Sequence, residues 1–181
     1  MPQISVAEVR DVFLSFKSKI SHKNEIPCSI LIDVLDFISE PLCNIFNRSI
    51  LSGIYPRVFK IARVVPVFKS GSENDVNNFR PISTLPLFSK IFERVLFNKL
   101  SDFIDERKIL NKSQYGFRKE VSTTHAILEF LHYVLKSFYQ NFYCVALFLD
   151  LKKAFDTVDV PILMKKLHHY SIRDNFFLIF R

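Results

Sequence analysis

The segment Phe142-Tyr-Cys-Val-Ala-Leu-Phe-Leu149 is an unbroken apolar run, and Asp150 follows it directly. Short runs of this kind are typical of strands buried on both faces, so the sequence predicts a buried strand over residues 141–150. Burying an ionised carboxylate there costs free energy unless an opposite charge, a metal ion or hydrogen bonds compensate it. Two interpretations stay open from the pattern alone. Asp150 binds a divalent cation such as Mg²⁺, which prefers oxygen ligands, or it only caps the turn after the strand.

The composition combines a large apolar content with a basic surface. Hydrophobic residues make up 49% of the 181, including 20 Phe. No apolar run approaches the roughly 20 residues of a membrane-spanning helix, so we expect no membrane span. We expect a fragment whose surplus apolar surface packs against further polypeptide. The formal net charge of +7 is spread along the chain, which suits a surface that meets phosphate. An ordinary basic protein is the alternative.

Cysteine and glycine usage narrows the function classes. Cys28, Cys43 and Cys144 have no zinc-finger or redox-motif spacing, so we expect reduced core thiols in an intracellular protein, cytoplasmic or nuclear. Only three glycines occur, which excludes a Gly-rich dinucleotide-binding loop or a Walker loop.

Apolar periodicity and turn residues predict a mostly helical α+β fold with an incomplete sheet. The second of two N-terminal helices is expected to begin at Pro41 and to end at Gly53. Residues 61–68 are predicted to form a strand and residues 70–78 a hairpin tip or exposed loop. Further helices are expected to begin near Pro86, at Ser122 or Thr123, and at Asp159.

Residues near Asp150 and the predicted hairpin suit a nucleoside triphosphate. Ala154 and Phe155 place a small residue and a ring just past the carboxylate, where the ring would lie near the sugar and exclude a 2′-hydroxyl. The alternative is that Phe155 belongs to the core. Lys69 and Arg80 flank the hairpin loop and would clamp phosphates together. Singly, each would be an ordinary solvated charge.

Four blocks together resemble a known family. They read PRVFKIARVVPVFKSG, NFRPISTLPLFSKIFERVLFNKL, SQYGFRKEVSTTHAI and FLDLKKAFDTVDVPILMKKL. In this order and at this spacing, they resemble the reverse transcriptases of non-LTR, LINE-type and jockey-like retrotransposons. The resemblance extends from about Ile26 to the last residue and corresponds to an N-terminal fragment of the reverse transcriptase domain.

This resemblance implies part of a right-hand polymerase fold. Residues 1–52 would be a helical N-terminal extension, residues 53–140 the fingers region, and residues 141–181 the start of the palm. The function implied is that of an RNA-directed DNA polymerase, which adds deoxynucleotides to a primer during retrotransposition. The partners implied are an RNA template, a DNA primer, deoxynucleoside triphosphates, and the missing palm and thumb segments.

The resemblance also implies roles for individual residues. Asp150 would be catalytic and, with the carbonyl of Leu151, would hold Mg²⁺. The backbone amides of Lys153 and Ala154 would face the triphosphate, Phe155 would be the sugar gate, and Lys69 and Arg80 would bind phosphates. The block formed by Tyr115, Gly116, Phe117 and Arg118 would lie near the template strand, where aromatic and Arg side chains serve stacking and phosphate contact.

The chain also departs from the family pattern. Two consecutive aspartates, which the second palm motif requires, occur nowhere in it, so we expect Mg²⁺ binding to be weak or absent and the chain to be inactive alone. Phe59 stands where the family usually has Trp, and Ser171 where it usually has Gly. A relict, non-catalytic module that binds nucleic acid or a partner is the alternative function. A phosphatase of the type with two aspartates two residues apart is disfavoured because Lys152 stands in the second position.

Overall fold

The computed structural model describes residues 3–16, 26–151 and 154–180 of the chain. They form two compact units: the first unit is Met1–Asp102 with Met164–Arg181, and the second unit is Phe103–Leu163. The elements in chain order are α1 (Val6–Ser15), α2 (Cys28–Asp33), α3 (Leu35–Ser52), β1 (Arg63–Phe68), β2 (Phe79–Thr84), α4 (Leu87–Glu106), α5 (Thr123–Tyr139), α6 (Val160–His169) and α7 (Asp174–Leu178). Helices with one small sheet make an α+β fold, which confirms the predicted class. Within the described ranges, no helix is both long and apolar enough to cross a bilayer.

Aromatic side chains from α3 and α4 form the centre of the first unit. Phe46 and Phe92 are fully buried, and their rings stack with centroids 4.6 Å apart. The ring of Phe59 contacts both, and its centroid lies 6.3 Å from that of Phe46 and 6.1 Å from that of Phe92. Burial of each large apolar side chain stabilises the fold by roughly 1.5–3 kcal/mol, so these rings anchor α3 to α4. Phe59 therefore supplies an aromatic contact at the position where the resemblance leads one to expect Trp.

Lys99 is the only charged residue buried among the residues that the structure describes. Its Nζ donates to Glu8 Oε1 at 2.8 Å and to the carbonyl oxygen of Gln3 at 3.3 Å. Although partial burial raises the pKa of Glu8, hydrogen bonds from Lys99 and Ser5 hold that pKa below its usual value. The ion pair therefore ties the start of α1 to α4.

The N-terminal helices differ from the prediction at Pro41. The helix does not begin there: α3 starts at Leu35 and continues through Pro41 to Ser52. Proline removes one N–H, and the carbonyl that would have accepted it belongs to Phe37, a residue that is 81% exposed on the outer side of the helix. The end of the helix matches the prediction, because Gly53 has a left-handed φ of 68°.

The predicted strand and hairpin loop are confirmed, with the strand two residues shorter at its start. β1 pairs antiparallel with β2, and Phe68 faces Phe79 with ring centroids 5.5 Å apart. The backbone N–H of Lys69 donates to the carbonyl of Asn78 at 2.8 Å and closes the loop. Gly71 has a φ of 97°, and a Cβ there would lie 2.7 Å from the amide nitrogen of Asn78, so the turn requires glycine.

The predicted strand over residues 141–150 is absent. Residues 142–151 are irregular and exposed; Val145 is 93% exposed and Leu149 is 82% exposed. A strand is held by hydrogen bonds to a neighbouring strand, and the only ladder in the described ranges joins β1 to β2. Without a partner strand, the apolar pattern cannot produce the predicted structure. The second unit is correspondingly open, since α5 buries none of its side chains.

The cysteines follow the prediction only in part. Cys28 and Cys43 are buried free thiols, whereas Cys144 is exposed because it lies in the unpaired run. Burial raises the pKa of the Cys43 thiol, and its Sγ donates to the carbonyl of Ile4 at 3.2 Å. Cys43 is therefore a core residue.

Candidate nucleotide and nucleic-acid site

The β1–β2 hairpin brings Lys69 and Arg80 to one face. Arg80 lies opposite Val67 in the antiparallel pair. Lys69 comes two residues after Val67, and its backbone N–H donates to the carbonyl of Asn78, which extends the pairing by one hydrogen bond. Side chains two residues apart on a strand share a face, and diagonal neighbours across an antiparallel pair lie about 7–8 Å apart. Both cations are exposed, and neither forms an ion pair within the described residues. The hairpin therefore presents two free cations at a separation suited to a polyphosphate.

The second unit brings together Phe117 and Phe155, two rings that the sequence places in different blocks. Their centroids are 5.9 Å apart and their planes are inclined at 85°, an edge-to-face contact. Phe155 is 79% exposed and Phe117 is 90% exposed, so neither belongs to the core. The core interpretation of Phe155 is therefore wrong for this structure.

The loop that carries Phe117 is held by Arg118. Its Nη1 donates to the carbonyl of Asn111 at 3.1 Å and to that of Gln114 at 3.4 Å. Tyr115 is half-buried beside these bonds, and Gly116 is open, since a Cβ at that position would have no neighbouring atom within 4 Å. Phe117 itself has a φ of 59°, a left-handed conformation that is unfavourable for a bulky side chain.

Asp150 lies in the irregular run. It is exposed, as are Leu151 and Ala154, so the expected buried carboxylate is not observed. Lys153 lies outside the described residues. The neighbouring Asp159 serves a different purpose: its Oδ1 accepts the backbone N–H of Ile162 at 2.9 Å and caps α6, as predicted. Ser171 follows this helix with a left-handed φ of 67°, the conformation that glycine would adopt at lower cost.

The residues present do not make a complete metal site. No group of three or more His, Cys, Asp or Glu side chains suited to a metal ion occurs in the part of the chain that the structure describes. Mg²⁺ is usually held by more than one carboxylate or by a carboxylate with substrate phosphates. Asp150 therefore supplies one candidate ligand, with the carbonyl of Leu151 adjacent to it in sequence.

Sequence reasoning did not single out a group of side chains on α4 that line one depression. Lys90, Glu93, Arg94 and Phe97 line a depression of about 260 Å³ with Phe16, all within the first unit. Their spacing of three and four residues puts them on one helix face, a signal that is visible in the sequence once the helix is recognised. Burial raises the pKa of Glu93, and the hydroxyl of Tyr55 donates to its Oε1 at 3.4 Å.

Comparison with known proteins shows similarity to reverse transcriptases. Residues 68–180 match the model of the family described as reverse transcriptase (RNA-dependent DNA polymerase). The chain is 36% identical over 118 residues to a Drosophila melanogaster protein named "Probable RNA-directed DNA polymerase from transposon BS". The aligned residues cover 65% of the chain and 13% of that protein. It is 35% identical over 126 residues to the Drosophila melanogaster "RNA-directed DNA polymerase from mobile element jockey", covering 69% of the chain and 14% of that protein.

A more distant similarity covers almost the whole chain. It is 28% identical over 176 residues, 96% of the chain and 17% of the relative, to the Drosophila melanogaster "Putative 115 kDa protein in type-1 retrotransposable element R1DM". The chain thus spans about a seventh of the length of these curated relatives.

Proposed function

The chain belongs to the reverse transcriptase (RNA-dependent DNA polymerase) family, and we propose that it forms the fingers and the start of the palm of a retrotransposon RNA-directed DNA polymerase. Residues 1–52 would be a helical extension, residues 53–140 the fingers and residues 141–181 the palm start. The polymerase would add deoxynucleotides to a DNA primer on an RNA template, in the cytoplasm or nucleus. The observation that carries the proposal is that Phe155, five residues after Asp150, contacts Phe117 within the matched segment.

Each candidate residue has a role that follows from its chemistry. Lys69 and Arg80 would bind the triphosphate, because two exposed cations on one hairpin face complement clustered negative charge. Phe155 would lie against the sugar, and the amides of Lys153 and Ala154 would face the phosphates. Phe117, Tyr115 and Arg118 would meet the template, with Gly116 leaving the loop surface open to it.

Asp150 and the carbonyl of Leu151 would contribute to a Mg²⁺ site completed by ligands that the described residues do not supply. The ion would supply positive charge for nucleotidyl transfer. The protein's own contribution here is to position the triphosphate and the sugar and to keep the template against the loop.

The proposal is tested by exchange into a related polymerase. Residues 68–180 replace the corresponding segment of the jockey polymerase, and extension of a DNA primer on an RNA template is measured with deoxynucleotides and Mg²⁺. We expect RNA-templated synthesis to be retained. A folded chimera that binds primer and template but adds no nucleotide would overturn the proposal and would favour a non-catalytic role.

A further inference from the structure

We propose that Pro81, which lies opposite Pro66 in the β1–β2 hairpin, fixes the pairing register and is thereby a positioning residue for Arg80. The inference deepens the proposed function and rests on it, because Arg80 is there expected to bind the triphosphate together with Lys69. Neither proline has been given a role above.

The two prolines occupy a pair that needs no backbone donor. Opposite residues in an antiparallel ladder alternate between hydrogen-bonded and non-hydrogen-bonded pairs. The backbone N–H of Lys69 donates to the carbonyl of Asn78 at 2.8 Å, so these two residues form a hydrogen-bonded pair. Three pairs further back along the register, Pro66 and Pro81 therefore form a non-hydrogen-bonded pair. The missing N–H of each proline costs this register nothing.

The register also decides which face of the hairpin each side chain occupies. Directly opposite residues share a face, and successive residues of a strand alternate between faces. The two cations, Lys69 and Arg80, therefore lie on one face, and the two prolines lie on the other. A shift of one residue in β2 alone would separate the cations.

Burial does not prevent such a shift. Five of the six β1 residues and four of the six β2 residues are exposed, so neither face of the hairpin is a core face that would specify the register. One-residue bulges are common in edge strands, and both strands of this two-stranded sheet are edges. A bulge beyond Asn78 would leave the loop and its closing hydrogen bond intact.

The position of Pro81 opposes a bulge in β2. With one extra residue between Asn78 and Pro81, Pro81 would lie opposite Val67, at a hydrogen-bonded site that requires the donor proline lacks. The same bulge, placed before Arg80, would turn Arg80 to the face opposite Lys69. Because the missing hydrogen bond raises the free energy of the shifted ladder, Arg80 stays on the face of Lys69.

Pro66 opposes the corresponding shift in β1. An extra residue between Pro66 and Lys69 would bring Pro66 opposite Arg80, which is also a hydrogen-bonded site. Each strand thus carries one proline that disfavours a bulge of its own.

Disulfide trapping measures the register in the 181-residue chain, tethered sparsely to a surface so that copies cannot associate. Cys144→Ser removes the exposed native thiol. Val64→Cys with Thr84→Cys puts two thiols on different faces in the observed register, and opposite one another only after a one-residue shift in β2. Thr84→Cys also removes the hydroxyl that donates to the carbonyl of Arg63 at 2.9 Å, so the register is tested without that bond.

Adding Pro81→Val to this chain should make the disulfide form about tenfold faster in oxidised glutathione, because valine restores the missing N–H. The matched control is Ser83→Val, which adds the same side chain to the same face of β2 but restores no donor. Mass spectrometry of the digested chain identifies the linked peptides. Equal rates in Pro81→Val and Ser83→Val would overturn the proposal.

The consequence for Arg80 is measured in a jockey chimera that exchanges residues 53–180, so that both strands come from this chain. Val64→Cys with Ser83→Cys traps the observed register, and Val64→Cys with Thr84→Cys, in the Pro81→Val background, traps the shifted one. KM for the deoxynucleotide should be about tenfold higher in the shifted form, with a smaller change in kcat, and reduction of the disulfide should restore it. Equal KM values in the two trapped forms would overturn the positioning of Arg80.

The two measurements distinguish failure of this inference from failure of the proposed function. Trapping that responds to Pro81→Val, in a folded chimera that adds no nucleotide, would support the register role and would overturn the proposed function. An active chimera whose trapping does not respond to Pro81→Val would overturn this inference alone.

Discussion

Phe117 and Phe155 meet edge to face, with ring centroids 5.9 Å apart, although 37 residues separate them and they come from different sequence blocks. Such a pair is worth about 0.5–1.5 kcal/mol beyond the area it buries. The contact orients the Phe155 ring from the loop that Arg118 holds. A loop proposed to meet the template therefore positions the residue proposed to select the sugar.

Removing either ring should reduce sugar selection in the jockey chimera. Phe155→Ala removes the surface against the sugar, so ribonucleotides should compete roughly tenfold better with deoxynucleotides. A change of about this size in the ratio of kcat/KM values is expected when a pocket differs by one small group. Phe117→Ala should give a smaller change in the same direction because it acts through Phe155. Single-nucleotide incorporation with each nucleotide type gives the ratio of kcat/KM values. Tyr139→Ala, which removes a ring that is 91% exposed at the end of α5, is the matched control. Unchanged selection in Phe155→Ala would contradict the gate assignment.

Removing the hairpin cations should weaken nucleotide binding. Arg80→Ala removes charged hydrogen bonds of about 1.5–3 kcal/mol, so KM for the deoxynucleotide should rise about tenfold or more with a smaller change in kcat. Lys69→Ala should behave similarly. The control is Arg173→Ala, an exposed arginine that lies within the exchanged residues 68–180 and has no proposed role. Equal effects in Arg173→Ala and Arg80→Ala would show that only overall charge matters.

The exposed run of residues 142–149 should cause association of the isolated chain. It contains neither Gly, Pro nor charge, and an unpaired segment of this kind pairs readily with another copy. Val145→Lys with Leu147→Lys should raise the monomer fraction in sedimentation velocity. Val58→Lys with Val76→Lys adds the same charge at two other exposed valines and should have little effect. A wild-type chain that sediments as a monomer and melts cooperatively would contradict this prediction.

Acid should remove the contribution of the Glu8–Lys99 pair to stability. Because the folded-state pKa of Glu8 lies below its usual value of 4.5, the contribution is present above that pH and is lost as the pH falls through the folded value. Glu8→Gln should therefore lower the free energy of unfolding at neutral pH, by only about 1 kcal/mol because Glu8 is partly exposed and its charge is screened. In acid the substitution should lower it by less, because Glu8 is then protonated in the unsubstituted chain.

Urea melts across the acid range, in the association-resistant background, test this dependence. Glu73→Gln, at an exposed position in the hairpin loop, serves as the control. A Glu8→Gln difference that stays constant from neutral pH to strong acid would exclude the pair as its source.

Local signals in the sequence predict local structure well. Gly53 and Asp159 mark helix ends through their own backbone or side-chain chemistry, and both do so in the structure. The hairpin also follows from its loop residues. Each of these depends on neighbours within a few positions.

Features that depend on distant partners could not be predicted in the same way. Lys99 is buried with its ammonium group paired to Glu8, and Glu8 lies 91 positions away in sequence, so no periodicity identifies that partner. The run before Asp150 fails to form a strand because a strand needs a neighbour, which the apolar pattern cannot supply. The Phe117–Phe155 contact likewise joins two loops, so the sequence indicates both residues but not their meeting.

The central claim is that Asp150 belongs to a polymerase active site, and one comparison tests it most directly. Asp150→Asn in the jockey chimera preserves the side-chain shape and removes its charge. Asp105→Asn, at an exposed carboxylate of α4 that has no proposed role, is the control. We predict that single-nucleotide incorporation on an RNA template falls by about a hundredfold or more in Asp150→Asn, the scale expected when one electrostatic group leaves a catalytic site. Primer–template affinity should stay close to that of the unmodified chimera, and Asp105→Asn should remain active. Near-normal incorporation by Asp150→Asn, with the same template affinity, would contradict the claim.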